Sequence, residues 1–232
     1  MVITGEAAGI RYVATPPAGD GRRLVLVWHL LGEPDTPEAM ARALPLAGVD
    51  AWRLYPALPA WGQGDDPVAD GYAPLVEAAL AATPELVGAA RERLGCDDGP
   101  VDVVGGSAGG HVALLTAVRR VVPVRRVAVV NPAVTARAVV EASLDVGALE
   151  SHHWTDASLA AAEPLDVAAR ADRLDVPLLV VQGEQEYEAF RPVQRALVDA
   201  VPGARLARVP GLAHMLVTRQ DVVDAEVSAW LA

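Results

Sequence analysis

Residues 24–29 read LVLVWH, an apolar run with no polar alternation, and similar runs return at 101–105, 126–131 and 177–182. A strand with one wet face alternates; a strand that is apolar throughout has to be covered on both faces. Runs at 50–55 and 205–209 extend the series, and residues 10–15 read as an antiparallel edge strand. The stretches between them have helical character. Residues 36–46 begin with Thr36 as a cap and Pro37 in the first turn. Residues 107–121, 193–200 and 222–231 are compatible with helices, and 71–94 is helical with a break expected at Thr83-Pro84. Residues 56–70 are rich in Pro, Gly and Asp and read as a long loop. Alternation of buried strands with helices implies an α/β chain with a mostly parallel central sheet flanked by helices.

One segment breaks that rhythm. Residues 133–175 connect two strands, contain helical patterns and no strand, and are too long for an ordinary connection of a few residues. They are expected to form a short helical cap on a single domain spanning 1–232. A chain of 232 residues can bury a substantial core without covalent staples.

Composition removes several kinds of chemistry. All 19 basic residues are arginine, so lysine Schiff bases, lysine P-loops and lysine catalytic dyads are excluded. Cys96 is the only cysteine, which excludes a disulfide framework and a cysteine-based zinc site and suits a reducing, cytoplasmic compartment. The net charge is −11 and no basic run is present, so neither nucleic acid nor a membrane surface is an expected partner. No secretory leader and no apolar stretch of membrane-spanning length is visible.

Against that background Gly105-Gly106-Ser107-Ala108-Gly109-Gly110 stands out. It follows a strand and opens a helix, the context in which G-x-S-x-G forms a nucleophile elbow. Serine sits at a sharp turn, glycines flank it because side chains there would strike backbone, and the helix N-terminus offers free N–H groups to a developing oxyanion. The amide of Ala108, next after the serine, is one expected oxyanion donor.

With this motif in its strand-to-helix context, the chain resembles the α/β-hydrolase fold superfamily from residue 24 to its end, as a serine esterase or thioesterase-like member. The resemblance implies a triad in the order serine, acid, histidine. His214, in the loop after the last strand, matches the family's histidine. The acid is expected after the fifth strand, where Gly183-Glu184-Gln185-Glu186 places Glu186 at the family's Asp position, with Glu184 and Glu188 as rivals. The family's H-G-x-G loop corresponds to His29-Leu30-Leu31-Gly32, with Leu30 where glycine is usual. The second oxyanion donor is expected from Leu31, with Leu30 as rival.

Trp28, Leu30, Trp61, Trp154, Tyr187 and Met215 fall in segments that can reach such a site and are the expected substrate-binding residues, with Phe190 nearby. His111, one turn after Ser107, reads as packing behind the elbow, and His152 and His153 as cap surface or pocket wall. The expected activity is cleavage of a carboxylic ester or thioester of a small, largely apolar acyl substrate through an acyl-enzyme on Ser107. It requires no metal or cofactor. The alternatives are a non-hydrolytic acyltransferase, lyase or cyclase on the same fold, or a catalytically silent binding protein. Oligomeric state is not encoded in any recognisable pattern.

Overall fold

The structure is a computed structural model and describes residues 2–232. Its centre is an eight-stranded sheet with strands β1 (Ile3–Ala7), β2 (Ile10–Thr15), β3 (Leu24–Trp28), β4 (Trp52–Pro56), β5 (Val101–Gly106), β6 (Val124–Val130), β7 (Leu178–Gln185) and β8 (Arg205–Ala213). The spatial order is β1-β2-β4-β3-β5-β6-β7-β8. β2 runs antiparallel to β1 and β4, and β4 through β8 are mutually parallel in their pairings. The mostly parallel sheet expected from the apolar runs is present. Residues 10–15 do form an antiparallel strand, but not the edge: β1 pairs outside it. The β1 stretch ITGEA carries Gly, Thr and Glu and has a half-exposed pattern, so it gave no apolar run to detect.

Both faces are covered, which is why the central strands can be apolar throughout. On one face Leu24, Leu26, Val103, Val129 and Val180 pack with α2 (Ala73–Leu94), α3 (Ser107–Val118) and α6 (Phe190–Ala200). On the other Val25, Val27, Val104, Val130 and Val181 meet α1 (Pro37–Ala43) and α7 (Gln220–Leu231). Thr36 caps α1 through a bond from the Ala39 amide to its hydroxyl, and Pro37 occupies the first turn.

Two local expectations fail. α2 runs unbroken through Pro84. Ala79, Ala82, Thr83, Leu86 and Val87 are all buried, so packing holds the helix despite the missing amide. The Thr83 hydroxyl, donating to the Ala79 carbonyl at 2.8 Å, removes the cost of burying it. The expected loop over 56–70 ends early, because Asp66 accepts from the Val68 and Ala69 amides and starts a wide helical turn, Pro67–Tyr72, that leads into α2.

Residues 133–175 carry α4 (Ala136–Asp145), α5 (Asp156–Ala162) and short tight turns, with no strand. One exposed and one buried contact tie this segment down. Thr155, the cap of α5, donates to Asp66 Oδ2 at 3.1 Å. His111 of α3 is fully buried and spans from the Tyr72 hydroxyl (2.8 Å to Nδ1) to the Leu165 carbonyl (2.6 Å from Nε2). A carbonyl only accepts, so Nε2 carries the proton and Nδ1 accepts from the phenol. Among the described residues no helix is long and apolar enough to cross a membrane.

Burial pushes the His111 imidazole down to about 4, because its cation would have no solvent around it. In the unfolded chain the same group titrates near 6.5, so as pH falls through that range the unfolded state takes up the proton first. The stability that neutral His111 preserves is therefore complete above pH 6.5 and is lost progressively down to about pH 4, for a total near 3 kcal/mol. Denaturant unfolding across this window is expected to show a steeper acid loss for the native chain than for His111→Gln; equal slopes would mean His111 does not carry the effect.

Candidate active site

Chain geometry at the end of β5 turns Ser107 outward. Ser107 has φ +48°, a left-handed conformation that non-glycine residues adopt at a cost of about 1–3 kcal/mol. A side-chain carbon at Gly109 would lie 2.2 Å from the His29 carbonyl, so α3 can approach β3 only with glycine there. The serine hydroxyl is left part-exposed at the first turn of an otherwise buried apolar helix.

The other two triad candidates arrive on the neighbouring strands. His214 follows β8, and its Nε2 lies 2.9 Å from Ser107 Oγ. Its Nδ1 lies 2.7 Å from Glu186 Oε1, just past β7. A carboxylate can only accept, so Nδ1 carries the proton and Nε2 is free to accept from the serine. Glu186 is 3% exposed, and both its oxygens are engaged: Oε1 also accepts from the Tyr187 amide at 2.6 Å and Oε2 from Gln194 Nε2 at 3.3 Å. The two rivals lie elsewhere. Glu184 accepts from the Gly211 amide on the surface, and Glu188 points to solvent beside Arg191. His214 is also boxed in by rings, with Tyr187 stacked on its face at 4.3 Å and Phe190 edge-on at 5.2 Å.

Asn131 carries no motif in the sequence; the structure gives it a larger place. It ends β6 at φ +45°, fully buried. Its Nδ2 donates to the carbonyls of Ala213 (2.8 Å) and His214 (3.1 Å), and its Oδ1 accepts from the Gly183 amide at 2.7 Å. One side chain thus joins the loop carrying Glu186 to the loop carrying His214.

The oxyanion loop separates its two rival donors. The Leu30 amide is committed to the Pro34 carbonyl at 3.0 Å. The amides of Leu31 and Ala108 have no partner among the described residues, and both residues line the cavity over Ser107. His29 anchors the loop: Nδ1 donates to the Leu30 carbonyl (2.6 Å) and Nε2 accepts from the Leu58 amide (2.8 Å). Burial pushes its imidazole below the usual range, which keeps it in this neutral two-bond form.

A cavity of about 220 Å³, open to solvent, covers Ser107 and His214. Tyr187, Met215, Leu31 and Phe190 line it. Four other expected lining residues do not. Trp28 is fully buried on the α2–α3 face, since strand alternation sends it away from the site. Leu30 is 1% exposed on the α1–α7 face. Trp61 is outside, packed on Tyr72 at 6.0 Å, and Trp154 is held under the Arg137 guanidinium at 4.5 Å. His152 packs edge-on against Trp154 and neither it nor His153 reaches the cavity. In their place stand Tyr72 and the α4 stretch with Val139, Ala142, Ser143 and Val146. No Asp, Glu or Arg lines the wall. Of its three other hydroxyls, Tyr72 is used on His111 and Ser143 on the Val139 carbonyl, and that of Tyr187 has no partner among the described residues.

No family model matches the chain, and no curated protein does either. Solved structures do. Est1E from Butyrivibrio proteoclasticus is similar with a TM-score of 0.71 at 15% identity, over 99% of this chain and 97% of the other. The enol-lactonase from Burkholderia xenovorans LB400 gives 0.65 at 16%, covering 99% of both. MGS-MChE2, an alpha/beta hydrolase enzyme from the metagenome of lagoon sediments, gives 0.61 at 14%, over 98% and 97%. At such identities the likeness is one of fold.

The Leu30 side chain lies where a carbon added to Gly106 would sit, 2.4 Å from its Cδ1. Gly106→Ala is expected to cost about 1–3 kcal/mol through overpacking, and Leu30→Ala about 2–5 kcal/mol through the cavity it leaves. The double variant should cost less than the sum by at least about 0.5 kcal/mol, because each change accommodates the other. Urea unfolding of the four proteins measures this coupling, and strictly additive costs would contradict it.

Proposed function

We propose that this chain, which has the α/β-hydrolase fold, is a serine hydrolase that cleaves a carboxylic ester or thioester of a small, largely apolar substrate. The observation that carries the reading is the continuous hydrogen-bonded line from Ser107 Oγ to His214 Nε2 (2.9 Å) and from His214 Nδ1 to Glu186 (2.7 Å), set at a left-handed turn beneath a cavity. The hydrolases among structures of the same fold support it.

In this mechanism Ser107 Oγ attacks the substrate carbonyl as its proton passes to His214 Nε2. The bond from oxygen to carbon forms, and the carbonyl electron pair moves onto oxygen. The amides of Ala108 and Leu31 donate to that oxyanion. Glu186 holds the ring by its Nδ1 proton and stabilises the imidazolium. Collapse breaks the bond to the alcohol or thiol, which leaves with the proton from His214. Water, deprotonated by the same nitrogen, then attacks the acyl-serine and releases the acid and Ser107.

Specificity follows from the wall. With no charged side chain there and only the Tyr187 hydroxyl unengaged besides Ser107, an anionic acyl group would lose hydration with little to replace it. Val139, Ala142, Val146, Phe190 and Met215 offer apolar contact instead. The single cysteine, buried Cys96, agrees with action in the cytoplasm.

A fluorophosphonate probe and a chain-length series of p-nitrophenyl esters and acyl thioesters test the proposal. Ser107→Ala should abolish labelling and lower turnover by about 10⁴-fold or more, and Glu186→Gln by about 10³–10⁴-fold. Glu184→Gln and Glu188→Gln should stay within about twofold of native. Failure of the folded native protein to label would overturn the hydrolase reading. Release of acylated acceptor in place of free acid would move it to acyl transfer.

A further inference from the structure

A second concavity, of about 250 Å³, lies at the opposite side of the acid loop from the cavity over Ser107, where β8 forms the edge of the sheet. Arg191 and Arg195 of α6 and Arg208 of β8 line it, with Gln182, Gly183, Glu184, Val209 and Pro210. The convergence is a product of the fold. Residues 191 and 195 are one helical turn apart and share a face of α6. Arg208 is the register partner of Gln182, so both side chains leave the same face of the sheet. That face is the α6 side, because Gln182 Nε2 donates to the Arg191 carbonyl and to Gln194 Oε1. Three guanidiniums far apart in sequence thus share one hollow of a chain with net charge −11.

Their own chain leaves them largely uncompensated. No carboxylate oxygen lies within 4.0 Å of Arg195 or Arg208, and neither donates a hydrogen bond to another group among the described residues. Arg191 meets only Glu188, at 3.5 Å and with the carboxylate almost fully in solvent. Glu184, the one acid in the lining, is turned to the Gly211 amide at 3.1 Å. In the other arginine-lined hollow two of three are paired, Arg119 with Glu77 and Arg120 with Asp175, and Arg173 alone lacks a carboxylate. A single charged residue on an edge strand is explained as protection against strand pairing. That explanation covers Arg208 and leaves the two arginines of α6.

We infer that this concavity is a binding site for a phosphate dianion, free or as the monoester of a small molecule. Guanidiniums present paired donors that match phosphate oxygens two at a time, and two unpaired arginines plus a weakly paired third suit a doubly charged group. Val209 and Pro210 supply an apolar flank against which the carbon part of a monoester can rest. The proposal is independent of the hydrolase reading, since no residue of the Ser107 site takes part.

Calorimetric titration of the full chain with inorganic phosphate and with glycerol 3-phosphate tests it. Saturable one-to-one binding of at least one is expected, weaker by about tenfold or more in Arg195→Gln/Arg208→Gln. The charge-matched control Arg42→Gln/Arg173→Gln, which removes two arginines elsewhere that lack a carboxylate within 4.0 Å, should bind like the native chain. Tighter binding of the monoester would assign the site to an organic phosphate, and equal affinity to phosphate itself. Absence of saturable binding to the native chain, or equal weakening in both double variants, would overturn the site. Circular dichroism confirms that the variants are folded.

Discussion

The side-chain amide of Asn131 makes three hydrogen bonds where β6 ends, and the spacing of the loops after β7 and β8 depends on them. These loops leave the sheet from adjacent strands, but nothing in strand pairing alone brings an acid and an imidazole to 2.7 Å. A buried amide that is almost saturated is costly to disturb, because each group left unpaired would carry the full desolvation penalty. Its left-handed backbone is the local cost of turning the side chain toward both loops at once. Gln194 adds a second brace from α6, donating to the Pro132 carbonyl at 2.9 Å and to Glu186. The acid is thus held from two elements.

A second dependence joins two departures that look unrelated in sequence. Leu30 stands where the resembled family usually has glycine, and Gly106 leaves no side chain just before Ser107. In space the first fills the room vacated by the second, with Leu216 behind them. The bulky residue therefore points into the core and leaves the amide of Leu31 at the cavity. Reading Leu30 as a substrate-binding residue missed this exchange, because it concerns volume shared across β3 and β5.

Much of the architecture was legible because apolar strands without alternation have one structural solution, a sheet covered on both sides. The elbow was legible because its glycines answer to backbone clashes that any such turn must avoid. Ser107, His214 and Glu186 follow strand ends, where chain order predicts them. The cavity wall was much less so. Aromatic side chains were weighed by nearness in sequence, yet strand alternation turned Trp28 inward and packing took Trp61 and Trp154 out of reach. The real wall is α4, with Val, Ala and Ser residues whose chemistry carries no signal of its own. Asn131 and the arginines at 191, 195 and 208 escaped for the same reason: their meaning lies in contacts between distant segments.

The bond from His111 to the Leu165 carbonyl has a bearing on how ligands come and go. It fastens the covering segment to the helix that begins with the nucleophile, and Thr155 fastens the same segment to Asp66 at another point. Lifting that segment would break a buried imidazole contact and leave a polar ring in an apolar interior. These two bonds hold the segment over Ser107 to the rest of the fold at separate points. On the hydrolase reading proposed above, a substrate reaches Ser107 from the cavity's open side, where Leu31 and Val146 are exposed, and its girth there limits what can react.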